Sequence, residues 1–405
     1  KDLLFTATEF GIYTSLDGGK KWQKFPGTPT ISFRDIVIQK RENDLVAASF
    51  GRGFYVLDDY SGLREMTPSN LKREGALFKP RAAKWYEPRS KIGNTGADYY
   101  FAKNPTFGAV FTYHLSKNYK SLKSIRNRKE MALNKKRQNI RFPGWDKLDK
   151  EKSETTPKVW LSISDSKGNV IRNISKNAKK GSHRIAWDLR HSSTRPISIA
   201  NTRRRGGWRG SNSGPMAIPG NYTANLFLEN KGKITKLDGP VLFEVKPLRN
   251  GVLKGASYED FDNYRVSISS LQKEIYSFND LFSQSLNNLK KFKIALSRIS
   301  ALPGELNSKL YSAEKELNYL EKMIKGSSSK GEVGEKTEAT IQSRLSFASR
   351  GLSTTYGPTK LHKESLELAK KSFNNLKPRV EKMFKETLPN LKKLLEKHGS
   401  PYINN

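Results

Sequence analysis

The chain has 405 residues, with 74 Lys and Arg against 39 Asp and Glu, a formal net charge of +35. Hydrophobic content of 35% and aromatic content of 10% are lean but sufficient for cores, so wholesale disorder is excluded. The length predicts two to four domains at roughly 100–200 residues each. There is no Cys, hence no disulfide, thiolate nucleophile or Cys-ligated metal, and no apolar run long enough to span a membrane as a helix. Charge of this sign predicts acidic partners: nucleic acid, anionic polysaccharide, lipopolysaccharide or acidic protein.

No initiator Met and no signal-peptide pattern stand at the start, so an upstream segment is expected. Residues 1–60 hold an internal repeat. Asp2-Leu3-Leu4 and Gly11-Ile12-Tyr13 recur as Asp44-Leu45-Val46 and Gly53-Phe54-Tyr55, an offset of 42. The alternation predicts strands at Leu3–Thr8, Gly11–Ser15, Lys21–Phe25, Phe33–Gln39, Leu45–Ser49 and Gly53–Asp58. Repeats of this length made of short strands are the signature of propeller blades. Residues 1–66 amount to little more than one blade, which cannot close a ring alone, so the remaining blades are expected from the same precursor. Ser15, Asp17, Gly19 and Trp22 fit the Asp-box pattern S-x-D-x-G-x-x-W. There the carboxylate accepts backbone N–H bonds, Gly supplies positive φ and Trp packs on the turn, a structural role.

Residues 76–250 read as antiparallel β, with candidate strands Ala82–Tyr86, Ala109–Leu115, Val159–Asp165, Val170–Ile174, His183–Asp188, Gly220–Glu229 and Val241–Lys246. That number of short strands suits an immunoglobulin- or fibronectin-like sandwich, with Trp160, Trp187 and Tyr222 in its core. Two insertions interrupt it. Residues 117–156 are basic, centred on Lys135, Lys136 and Arg137, and read as a solvated or disordered loop that is also the best local candidate for docking onto an acidic surface. Residues 202–214 form an Arg/Gly loop in which Arg203, Arg204, Arg205 and Arg209 could meet an anionic partner, RNA included. After Gly255 the period changes. Leu271, Ile275, Phe278, Phe282, Ser285, Leu289, Phe292, Leu296 and Ile299 predict an amphipathic helix of about eight turns, with only Ser285 polar. A second helix through Leu306 to Ile324, a loop at 326–337, and helices near 338–350, 360–376 and 379–397 complete a helical bundle over 256–400.

The Asp box, the run Val46 to Asp59 with Leu63-Arg64-Glu65, Asn104-Pro105-Thr106-Phe107-Gly108-Ala109, Trp187-Asp188-Leu189-Arg190, Pro219-Gly220-Asn221-Tyr222 and Thr355-Tyr356-Gly357-Pro358-Thr359 follow one another in an order that resembles a known group. These are the large bacterial BNR/Asp-box propeller proteins, sortilin-like or sialidase-like in fold and commonly described as glycosyl hydrolases. The resemblance spans nearly the whole chain. It implies the C-terminal part of an exported protein (periplasm, outer-membrane surface or extracellular), with other cell-envelope proteins as partners.

Enzyme chemistry is harder to place. Asp58 and Asp59 are adjacent on a predicted strand and point to opposite faces, so they cannot both line a glycosidase cleft. There is no H-E-x-x-H or Walker motif, and His114, His183, His191, His362 and His398 lack ligand spacing. No catalytic residue, metal site or cofactor is assigned. The fold expected is multidomain β plus α: the end of a propeller, a sandwich, then a helical bundle. The function expected is a non-catalytic binding or scaffold subunit of a larger envelope or surface assembly. The alternatives are a sialidase-like hydrolase whose active site lies in upstream blades, and a binder of nucleic acid or another anionic polymer.

Overall fold

The computed structural model describes residues 2–88, 102, 104–197, 213–249, 251, 254–300, 304–336 and 338–403. Arg203, Arg204, Arg205 and Arg209 lie outside them. The chain is a mixed β and α protein, β-rich with a curled half-barrel sheet as far as Pro247 and helical from Tyr258 onward. Lys1–Arg190 with Pro219–Arg249 form one unit, and His191–Ile218 with Asn250–Asn405 a second.

In the first unit, β1 (Leu4–Thr8), β2 (Gly11–Ser15) and β3 (Gln23–Lys24) form one three-stranded antiparallel sheet. A second comprises β4 (Phe33–Gln39), β5 (Asp44–Ser49) and β6 (Phe54–Leu57). The repeat at an offset of 42 thus appears as two like hairpins, β1–β2 and β5–β6. Ile12, Phe33 and Ala47 bury the face between them, with Tyr55 packed edge-on against Phe33. Strand β6 ends at Leu57, so the expectation that Asp58 and Asp59 sit on a strand is corrected. Asp59 has φ of +45°, and its carboxylate closes a turn by accepting the Ser61 amide and hydroxyl. Short helices α1 (Ser61–Arg64) and α2 (Pro68–Lys72) follow.

Next come β7 (Gly75–Leu77), β8 (Ala83–Trp85), β9 (Ala109–Leu115), β10 (Lys158–Ser164), β11 (Val170–Asn177) and β12 (Gly181–Trp187). β13 (Arg190–Ser192) and β14 (Ser213–Met216) are short, pair with each other and fall, from His191 on, in the second unit; β15 (Gly220–Asn230) and β16 (Lys233–Pro247) are long. Apart from the β13-β14 pair, these strands form two sheets, ordered β11-β10-β15-β16-β8 and β12-β9-β7. Alternation sets the core: Ala109, Phe111, Tyr113 and Leu115 point in from β9, and Tyr222, Ala224, Leu226 and Leu228 from β15. Rings from both sheets meet there. Phe243 lies 5.0 Å from Phe111 and 6.1 Å from Trp187, which in turn is 5.2 Å from Tyr222. Trp160 departs from expectation: it is only half-buried and donates from its indole N–H to Glu229. The reading of this region as wholly antiparallel is also corrected, because β8 runs parallel to β16.

The 117–156 insertion is not an irregular loop. It is two helices, α3 (Leu122–Lys135) and α4 (Trp145–Ser153), neither of which buries a side chain.

In the second unit, α5 (Tyr258–Leu296) is 39 residues long and begins well before the predicted Leu271. Ser257 caps it by accepting the Asp260 amide, with Glu259 and Asp260 in the positive first turn. Its buried set, Phe261, Tyr264, Ile268, Leu271, Ile275, Phe278, Phe282, Ser285, Leu289 and Phe292, alternates at spacings of three and four throughout. That 3.5-residue period packs long helices side by side. The partners are α6 (Gly304–Lys325), α8 (Ile341–Ser349), α9 (Lys360–Lys382) and α10 (Leu388–Lys397); a short α7 (Ser328–Glu332) occupies part of the predicted 326–337 loop. The hydroxyl of buried Tyr264 shares its proton between the carbonyls of Ala348 and His362, and burial pushes its pKa up to about 12. Pro378 does not end a helix, as expected from sequence, but lies inside α9. Pro389 does leave a mark: residues Met383–Thr387 open into a π-turn in which the Leu388 amide donates to the Met383 carbonyl, five residues back.

Gly108 is where the β core admits no side chain. Its φ is +106°, and a Cβ there would stand 1.9 Å from the Trp187 carbonyl oxygen. Gly108→Ala is expected to lower stability by at least about 3 kcal/mol, read as the drop in the urea midpoint. Gly27→Ala, at φ of +85° in open space, should cost only about 1–2 kcal/mol; equal losses would show that the contact with Trp187 is irrelevant.

Candidate docking surfaces

The Asp-box residues come together on one hairpin turn. The Ser15 hydroxyl donates to Asp17 Oδ1 at 2.8 Å and accepts the Gly19 amide at 2.8 Å, while Asp17 Oδ1 also accepts the Lys21 amide at 2.9 Å. Gly18 and Gly19 both have positive φ, and a Cβ on Gly19 would touch the Trp22 ring. The Lys21 amide and then the Ser15 hydroxyl hold the Asp17 carboxyl below its ordinary range. The Ser15 hydroxyl and Asp17 Oδ1 are thus engaged within the turn, which gives the motif a structural role. The offset of 42 carries Asp17 to Asp59, whose turn is the second, degenerate copy. Neither Trp nor Gly marks it, and the sequence pattern missed it.

Charged groups then tie the repeats to the rest of the first unit. Arg184 on β12 donates to the carbonyls of Asp58 and Asp59 at 2.8 and 2.5 Å. Arg81 pairs with Glu42 at 3.1 Å and approaches Asp44 at 3.8 Å. Burial and then the nearby Asp44 carboxylate raise Asp58, against the pull of Arg184 and Arg81. A carboxylate held in this way has its charged neighbours supplied by structure-forming pairs.

The 117–156 arm is different. It holds thirteen Lys and Arg against five Asp and Glu, a net +8 in 40 residues. Its base is anchored: Tyr119 donates to Glu74 at 2.6 Å, and Glu154 accepts the Leu122 amide at the start of α3. Burial and the Glu74 carboxylate push Tyr119 upward. Arg126 clamps the helices together, bidentate to Glu151 at 2.8–2.9 Å and bound to Glu130 at 2.9 Å. Beyond the clamp, Lys135, Lys136 and Arg137 close α3, all exposed, with Arg137 at φ of +54°. Exposed Met131, Ile140, Phe142 and Trp145 lie in the same stretch. The sequence reading found the cations and missed the apolar groups beside them.

Each unit also carries a cleft among its described residues. One of about 640 Å³ in the first unit is lined by Asp2, Asp17, Lys20, Tyr60 and Arg64, with the Arg64 guanidinium stacked on Tyr60. One of about 810 Å³ in the second unit runs beside the π-turn. Of the three cations that line it, Arg379 is bidentate to Glu316 and stacks on Tyr319, and Lys309 pairs with Glu305; Lys382 is the third. Among the described residues, no group of three or more His, Asp or Glu could hold a metal ion, and no helix is long and apolar enough to cross a membrane.

Two outcomes follow from this geometry. Asp17 titrates below its unfolded value, so its contribution is complete above the usual carboxylate range and is lost as pH falls through the lowered folded value. Protection of the Lys21 amide against hydrogen exchange should therefore hold at neutral pH, disappear in strong acid, and be absent at every pH in Asp17→Ala. For the arm, Arg126→Ala should speed tryptic cleavage within 117–156 without moving the thermal midpoint; unchanged cleavage would deny Arg126 its role as clamp.

No family model, curated protein or solved structure matches this chain, so its function has to be argued from these side chains.

Proposed function

We propose that this chain is a non-catalytic binding or scaffold protein of the bacterial cell envelope or surface, exported and working within a larger assembly. In this reading the two three-stranded sheets are closing blades of an Asp-box propeller, completed by further blades of the same precursor. The β core around Trp187 and Phe243 is an immunoglobulin-like sandwich, and the helical segment is a bundle whose outer faces are available to envelope partners.

The observation that carries the reading is the arm. An arm whose two helices bury nothing, and which carries +8 and leaves six large apolar side chains in water, has no role in the core, whereas a docking element needs these properties. The Asp box agrees with it, since the Ser15 hydroxyl and Asp17 Oδ1 serve the turn itself.

A heparin column and a panel of fluorogenic glycosides, sialosides included, test this reading. Retention is expected to weaken as salt rises, with no glycoside released. Reversing three arm charges (Lys135→Glu, Lys136→Glu, Arg137→Glu) should advance elution more than reversing three exposed lysines of the helical segment (Lys363→Glu, Lys371→Glu, Lys393→Glu). Equal shifts, or turnover of any glycoside, would overturn it.

A further inference from the structure

We infer that the tip of the 117–156 arm is a bilayer-surface anchor. It would seat on an anionic lipid membrane with its cations on headgroup phosphates and Phe142 and Trp145 in the interfacial layer. This deepens the docking reading of the arm and rests on it.

The argument begins with exposure. Met131 is 65% exposed, Ile140 47%, Phe142 60% and Trp145 74%, all within fifteen residues that join α3 to α4. Phe142 and Trp145 pack edge to face with centroids 4.9 Å apart, so they form one apolar wedge rather than two scattered rings. Pro143 and Gly144, the latter at φ of +91°, make the turn that brings them together. Burying such a wedge is favourable in proportion to its area, and nothing in α3 or α4 covers it.

Charge supplies the second half. Residues 131–147 hold five cations, Lys135, Lys136, Arg137, Arg141 and Lys147, against the single carboxylate of Asp146. At the base, Arg126 is neutralised by two glutamates, but none of these five makes an ion pair within the described structure. A cationic segment carrying Trp, Phe and long aliphatics is the composition that settles at the boundary between headgroups and acyl chains. Trp suits that boundary because its ring is apolar while its N–H keeps a polar partner.

Other acidic partners fit less well. Nucleic acid would engage the rings by stacking and the cations through phosphate, but Met131 and Ile140 gain nothing from base faces. Interfaces with proteins are depleted in Lys at their cores, whereas the arm has nine Lys to four Arg. Hydrocarbon accepts all four apolar groups, and a headgroup layer accepts Lys without demanding fixed geometry.

The test is co-sedimentation of the full chain with phosphatidylcholine vesicles with or without phosphatidylglycerol. Binding is expected only with phosphatidylglycerol present and should weaken with salt. It should come with a blue shift of tryptophan emission that the Trp145→Phe variant lacks. Phe142→Ser with Trp145→Ser should lose most of the binding, and Lys135→Ala with Lys136→Ala and Arg137→Ala should weaken it on the order of a hundredfold. These positions bury nothing, so unchanged circular dichroism is the control for folding. The anchor assignment is overturned by no binding to phosphatidylglycerol vesicles, by equal binding of the Phe142/Trp145 variant, or by tighter capture of single-stranded RNA through the same residues. If vesicles fail while heparin elution still depends on the arm, only the bilayer assignment falls; if both are indifferent to the arm, the docking reading falls with it.

Discussion

The contact of Trp187 and Phe111 with Phe243 is the constraint on which the first unit depends. It fixes which face of β12 and β9 is inward, and in a strand the opposite face is then fixed as well. With Ile185 and Trp187 buried, Arg184 must point the other way, and there its guanidinium finds the carbonyls that end the second repeat hairpin. A slip of one residue would bury Arg184 and expel Trp187. The aromatic core therefore also positions the repeats, and Leu16 of the first repeat packs against the neighbouring cluster of Met66, Ala76 and Phe78. The chain continues past β12 to Arg190 at the start of β13, which pairs with Glu87, and from the buried Leu115 that ends β9 into the arm.

Three kinds of signal made parts of this chain legible. Period-two alternation gave β9, β10 and β15 nearly residue for residue, because both faces of those strands have opposite solvation. The 3.5-residue stripe gave α5 for the same reason, although its first turns were missed where Phe261, Tyr264 and Ile268 stand among charged and polar neighbours. The Asp-box turn was legible because its bonds are local, from side chains to amides two to four residues away.

What was not legible lacked such a signal. Alternation is identical for parallel and antiparallel strands, so the direction of β8 beside β16 left no trace. Pro378 was read as a stop, yet the carbonyl it orphans belongs to exposed Asn374, where water can satisfy it. Pro389 has the larger effect, since the chain there opens by one residue into a π-turn. The arm was invisible to a search for amphipathic faces because it has no buried face. Its helices come from good helix formers and from local devices: the Ser121 cap on Ser124, the Glu154 carboxylate at the first turn, and the Arg126 clamp.

Those same devices set the arm's thermodynamic position. Helices of 14 and 9 residues are marginal in water without tertiary packing, and α3 and α4 have only ion pairs and caps to oppose the entropy of unwinding. Surface ion pairs contribute little and are screened by salt. The arm is therefore the part of the first unit whose order rests most on electrostatics and least on burial. Any surface that covers Phe142 and Trp145 adds the missing apolar term, and any surface that neutralises Lys135 to Arg137 relieves repulsion at the C-terminal end of α3. Binding and helix formation in the arm are thus coupled, so a partner that meets both needs stabilises the helices it binds.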